Sequence, residues 1–171
     1  MIKKEVQDAI NQQVINELFA SNSYLAIASY MESQGLKILA AYFFRQSDEE
    51  RGHSLRLLRY LLDVNGKVEV NAVPAPSNEF KSVEDAVRGA LDQEIEVTAQ
   101  INNLMDISHT HKDYATANFL RWFVDEQVEE QAAMHELLDL IRHAGPNNLL
   151  MVEDRLMKQG VSAVTTEPGA E

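Results

Sequence analysis

The stretch Asn65–Lys81, NGKVEVNAVPAPSNEFK, separates two long helix-forming segments and holds Pro74 and Pro76, two of only 4 prolines in the chain. It runs for 17 residues, far more than a turn between neighbouring helices needs. Extended at about 3.3 Å per residue it reaches roughly 56 Å, while a helix of about 28 residues is roughly 42 Å long. The stretch can therefore travel the whole length of a helical bundle and set the segments on either side of it parallel. A loop that wanders, or that carries a site of its own, is the alternative left open by length alone.

Outward from this stretch, the chain reads as helices. Segments near 3–33, 36–64, 82–111 and 113–143 are rich in Ala, Leu, Glu and Gln, all good helix formers. Gly35 and the Gly145-Pro146 pair punctuate them, since glycine closes helices and proline opens them. A short fifth helix is expected near 147–158, and residues 159–171 read as a loose tail. Each long segment carries a stripe with the four-three spacing of packed helices. The stripes are Val6, Ile10, Gln13, Glu17, Ala20, Tyr24, Ile27, Met31, then Leu39, Phe43, Gln46, Glu50, His53, Leu57, Tyr60, Val64. The third and fourth are Val83, Val87, Ala90, Glu94, Val97, Ile101, Leu104, Ser108 and Thr116, Leu120, Phe123, Gln127, Glu130, Met134, Leu137, Ile141. Four such helices make an all-α four-helix bundle, and the long crossover gives it a ferritin-like connection rather than an up-down-up-down one.

The stripes share a defect. Near the middle of each, apolar residues give way to Glu17, to Glu50 and His53, to Glu94, and to Gln127 and Glu130. Folding back at the turns near Gln34 and Lys112 brings Glu17 level with Glu50, and Glu94 level with Glu130. Uncompensated, such a burial costs several kcal/mol per ion. Protonation is one solution; a pair of divalent cations, which cancels the charge of four carboxylates and a neutral imidazole, is a better one. Oxygen-rich ligation with one or two imidazoles suits iron or manganese better than copper or structural zinc. Glu50, between the two halves, is the natural bridge. This arrangement matches the general template of di-metal bundles. One glutamate on a stripe means little; four coincident defects at matched height point to a metal site. His109, His111, His135 and His143 lie near helix ends or off the stripe and are expected to be exposed.

Composition closes other routes. The chain has 171 residues, 27 Asp and Glu against 15 Lys and Arg, and a net charge of -12. That surface repels phosphate backbones, so no nucleic-acid partner is expected. With no cysteine, disulfides, iron–sulfur clusters and thiolate zinc sites are excluded. No apolar run approaches a membrane span, and Met1–Glu5 lacks the apolar core of a signal peptide, so a cytoplasmic protein without a membrane partner is expected.

The sequence resembles the ferritins, specifically the non-haem bacterial and archaeal type. The resemblance covers nearly all of residues 1–158 and rests on Asn16-Glu17-Leu18, Glu49-Glu50-Arg51-Gly52-His53, Glu94, and the run Asp125-Glu126-Gln127-Val128-Glu129-Glu130. It implies that Glu17, Glu50 and His53 bind a first iron and that Glu50, Glu94 and Glu130 bind a second, with Gln127 close by. It further implies a third iron site at Glu49, Glu126, Glu129 and Glu130, and Tyr24 and Trp122 resemble the aromatic pair beside the centre. A homo-oligomeric shell of twenty-four subunits is implied, which oxidises Fe(II) with dioxygen or hydrogen peroxide and stores a ferric mineral. Gln127-x-x-Glu130 stands where a second Glu-x-x-His would mark a bacterioferritin, and Arg51 and Gly52 leave no haem-ligand methionine, so no haem is expected. Ala117 and Leu120 lie where many animal ferritins line a channel with acids, which leaves the access route for iron open. The competing readings are a rubrerythrin-like peroxidase or oxidase, which the missing cysteine opposes, a bundle without redox chemistry, and a DNA-protecting mini-ferritin, which lacks the fifth helix.

Overall fold

Between the glycine and proline breaks each segment forms one helix. A computed structural model describes residues 2–163, and in it α1 spans Lys4–Ser33, α2 Lys37–Asp63, α3 Val83–Thr110, α4 Tyr114–Ala144 and α5 Leu149–Lys158. Ser82 caps α3 by accepting from the Asp85 N–H, and Asp113 caps α4 by accepting from Thr116. The turn between α1 and α2 needs Gly35 at φ +75°, and α4 closes on Gly145 at φ +72°, a backbone region that a Cβ disfavours. The fifth helix starts two residues later than expected, after a turn at Pro146 and Asn147. Of the expected tail, residues 164–171 lie outside the described residues. Val161 is buried and its N–H reaches the Leu156 carbonyl at 3.0 Å, so packing continues past Lys158.

Cross-helix contacts fix the directions. Ser21 meets Ser47 at 2.9 Å, and Tyr24 bonds Glu94 while Gln13 bonds Gln100. Together with the short turn at Gly35 these make α1 antiparallel to both α2 and α3. Tyr60 bonds Thr116 and Gln46 bonds Glu130, so α2 and α4 are antiparallel as well. Helices α2 and α3 are therefore parallel, and the crossover does run end to end. It is tied to the start of α1 by the buried Asn11 side chain, which donates to the Lys67 carbonyl and accepts from the Glu69 N–H, both at 2.8 Å. At the far end Phe80 packs on Tyr30 near the close of α1, with ring centroids 5.2 Å apart.

Every stripe residue is buried except Tyr60 and Val64, which are half-buried; at that end of α2 Leu61 turns inward instead. The apolar interior falls into two parts. One, toward α5, includes Ile27, Met31, Leu39, Phe43, Val87, Met134 and Leu137. The other, toward the opposite end, includes Val6, Ile10, Leu57, Val97, Ile101, Leu120 and Phe123. The acidic layer lies between them.

Helix α2 has no capping side chain of its own at Leu36. Its first N–H groups are met from the fifth helix: the Glu153 carboxylate, 8 % exposed, accepts from Ile38 at 2.7 Å and Leu39 at 3.1 Å. A carboxylate at a helix N-terminus satisfies orphan donors and complements the helix dipole. Val152 and Leu156 add apolar burial beside it, whereas Leu150, Met151 and Met157 stay exposed. Glu153→Ala is expected to lower stability by about 1–2 kcal/mol and to speed amide exchange at Ile38 and Leu39. Thermal unfolding and hydrogen exchange check this; wild-type exchange at both amides would contradict it.

Candidate metal centre

The four stripe defects converge at mid-bundle. Glu17, Glu50 and His53 each offer a ligand atom, and these atoms lie within 4.8 Å of one another. His53 also joins Glu126 and Glu130 within the same distance. Helix periodicity places these groups: Glu50 and His53, three apart on α2, share a face, and His53 Nδ1 lies 3.3 Å from Glu50 Oε2. Glu17, Glu50 and Glu94 are 0 % exposed and Glu130 is 6 % exposed.

Neutral donors surround part of the cluster. Gln13, one turn before Glu17, donates to Glu17 Oε1 at 2.9 Å, and Gln46, one turn before Glu50, donates to Glu130 Oε2 at 3.1 Å. The Tyr24 hydroxyl donates to Glu94 Oε1. The Gln127 amide lies against α3, 2.9 Å from Thr98 Oγ1 and 3.3 Å from Glu94 Oε2, and hydrogen bonding assigns its nitrogen to that side, since an oxygen there would face the Glu94 acceptors. The rest of the cluster has no such partners. Glu17 Oε2, both carboxylate oxygens of Glu50 and His53 Nδ1 are buried without a hydrogen bond. Buried polar atoms are almost always paired, so four orphans on three adjacent residues mark a place built for a ligand that accepts their lone pairs. A cation fits that donor set.

The four buried acids Glu17, Glu50, Glu94 and Glu130 resist ionisation. Burial pushes Glu17 well above the ordinary carboxylate range, and the Glu50 charge pushes it further. Burial and then the Glu94 charge raise Glu50, with a contact to Glu17 pulling the other way. Burial raises Glu94 against the opposing bond from Tyr24. Glu130 is pushed up to about 8 by burial and by the charges of Glu94 and Glu49. The Tyr24 and Tyr42 phenols are also raised, first by burial and next by the charges of Glu94 and Glu130 respectively.

The expected third group is more open. Glu49 and Glu126 line a groove of about 580 Å³ between α2 and α4, with His53 and Trp122 also on its wall. Glu126 is half-buried, whereas Glu49 and Glu129 are exposed. Glu126 lies with His53 and Glu130; Glu129 joins no such cluster among the described residues. Tyr24 and Trp122 are not ring partners. Tyr24 packs on Phe43 at 5.8 Å, while Trp122 lies edge-on to His53 at 5.3 Å beneath the Arg56 guanidinium. Of the remaining histidines, His109, His135 and His143 are exposed and His111 is half-buried. Sequence reasoning missed the donors Gln13, Gln46 and Thr98. The first two were visible as polar stripe residues four positions before an acid; Thr98 is off the stripe.

A bundle with one long crossover and an acid-and-imidazole centre at mid-height defines the ferritin-like class. The comparisons agree. Residues 7–144 match the ferritin family's ferritin-like domain. The chain is 36 % identical over 158 residues to a bacterial non-heme ferritin of Staphylococcus haemolyticus, covering 91 % of this chain and 95 % of that one. A counterpart from Staphylococcus aureus is 37 % identical with the same coverage. An Archaeoglobus fulgidus structure described as a novel open pore ferritin superposes with a TM-score of 0.89 at 32 % identity, over 91 % of this chain and 98 % of that one. The chain belongs to the ferritin family. Its relatives there are the non-haem ferritins, and its function is theirs: iron storage through ferroxidase activity.

The raised carboxyls set the pH response of the metal-free protein. The folded chain keeps protons that the unfolded chain has released, from the ordinary carboxylate range up to about 8 at Glu130. Stability without metal is therefore expected to fall as pH rises through that window. Glu130→Gln should flatten the slope, by on the order of a few kcal/mol per subunit at its upper end. Denaturant unfolding in chelator at pH 5, 6.5 and 8 tests this; equal slopes in wild type and variant would contradict it.

Proposed function

We propose that Glu17, Glu50, His53, Glu94 and Glu130 hold two Fe(II) ions side by side, with Glu50 between them. The observation that carries this is the set of four orphaned buried atoms on Glu17, Glu50 and His53. Four carboxylates and a neutral imidazole carry the charge that two dications cancel, and among the described residues no arginine or lysine forms an ion pair with these acids. Two Fe(II) held by a shared carboxylate each give one electron to a single dioxygen or hydrogen peroxide, which is what paired metal sites permit. Oxygen ligands favour the harder ferric product.

The other residues take supporting parts in this reading. Tyr24 and Gln127 orient Glu94, as partners of metal ligands do. Glu49, Glu126 and Glu129, with Glu130, form a third iron position on the way out of the centre; the groove beside His53 supports this for Glu49 and Glu126. The family's cages suggest an assembly of twenty-four copies with the mineral inside, and the exposed Leu150, Met151 and Met157 on α5 supply an apolar face for contact between copies. We take residues 1–158 as the ferritin-like unit, and the cytoplasm as its place. No haem has a part in this scheme. Among the described residues no helix is long and apolar enough to cross a membrane.

Glu50→Ala removes the bridge and His53→Ala the only imidazole. Both variants are expected to assemble, because the apolar stripes are intact, and to lose at least about 100-fold in oxidation rate in stopped flow at two Fe(II) per subunit. Glu129→Ala should leave the fast phase and change the stoichiometry or the onward movement of iron. Iron retained per subunit should far exceed the number of binding sites. Wild-type rates in both Glu50→Ala and His53→Ala would overturn the assignment.

A further inference from the structure

The two halves of the centre differ in how they are kept ready. Glu17, Glu50 and His53 stand open, with orphaned atoms. Glu94 is held at both oxygens, by the Tyr24 hydroxyl at Oε1 and by the Gln127 amide near Oε2. The Gln127 contact depends in turn on a residue outside the ligand set. Thr98 lies one turn after Glu94 on α3, half-buried where α3 faces α4. Its hydroxyl donates to the Glu94 carbonyl at 2.8 Å. It accepts from the Gln127 amide nitrogen at 2.9 Å and from Gln131 Nε2. One donor and two acceptor sites are the full capacity of a hydroxyl. With the Gln127 oxygen toward α3, that oxygen would face the Glu94 carbonyl and Glu94 Oε2, two acceptors. The amide nitrogen therefore belongs on that side, where the Thr98 hydroxyl accepts from it and gives its own proton to the Glu94 carbonyl.

We propose that Thr98 is a positioning residue for the second metal ion: it fixes the amide plane of Gln127, and through it the Glu94 carboxylate, while leaving the first ion's ligands untouched. The inference rests on the two-ion reading above. Its physical basis is that an unrestrained glutamate must lose rotamer freedom on binding a metal, whereas one already oriented by hydrogen bonds has less to lose. Thr98→Val keeps the shape of the side chain and removes both the proton and the lone pairs. Thr98→Ser keeps the hydroxyl.

Anaerobic titration of the assembled protein with Co(II), followed by its visible d–d absorption and by calorimetry, separates the two binding steps without any turnover. Wild type is expected to bind two strongly held ions per subunit. Thr98→Val should bind the first with unchanged affinity and the second roughly ten- to a hundredfold more weakly, with an altered spectrum for the second ion only. Thr98→Ser should restore the second step. A second step in Thr98→Val equal to wild type, an equal loss in both steps, or a failure of Thr98→Ser to restore binding would each overturn the positioning role. If Thr98→Val does not assemble, Gln127→Leu takes its place and must show the same selective loss; otherwise the proposal falls. Wild type that binds no pair of ions would instead overturn the two-ion reading, and this inference with it.

Discussion

Four carboxyl groups brought to one height inside a helical bundle are the constraint on which everything else here depends. In water they would ionise and separate; between two apolar layers they cannot separate, and ionisation without a counter-charge is costly. The protein meets this in part with neutral donors, from Tyr24, Gln13, Gln46 and Gln127, and in part with raised proton affinities. Neither device gives Glu50 a neutral donor: its oxygens face only the Glu17 carboxyl and, at 3.3 Å, His53 Nδ1. On the proposal above, what satisfies such a residue is a bound cation.

The long apolar helices make such a cluster tolerable. The interior splits into one apolar region on each side of the acidic layer, so the cost at the middle is set against burial along the full length of four helices. The crossover contributes by making α2 and α3 parallel, which places the acids of both helix pairs in one layer. Asn11 and Phe80 hold that crossover to the two ends of α1. At the end where Phe80 meets Tyr30, Glu153 ties the short fifth helix to the start of α2.

Much of this could be read from residues alone, for a physical reason. A 3.6-residue period forces stripe residues to one face, so the burial of Val6 through Met31 and the meeting of Glu17 with Glu50 follow from spacing. The length of Asn65–Lys81 against that of a helix permitted an end-to-end crossover; cross-helix contacts fix it. Spacing could not reveal contacts that depend on a second surface. Val14, Ile15, Ala28, Ala40 and Tyr42 are buried off the stripe. Glu153 reads as one more charge on a short helix until its place over the α2 N-terminus is known. Thr98 and Gln131 are ordinary polar residues of α3 and α4 until the facing helix is seen. Tyr24 and Trp122, the aromatic pair beside the centre by resemblance, meet different residues of it: Tyr24 bonds Glu94 and Trp122 flanks His53.

If buried, proton-holding carboxyls are the metal ligands, metal must displace protons when it binds. Anaerobic calorimetry with Fe(II) near pH 6.5, repeated in buffers of different ionisation enthalpy, measures that exchange directly. The account predicts about one or more protons released per subunit, with release ending when two Fe(II) are bound. Binding without proton release, or release that continues well past two ions per subunit, would contradict it.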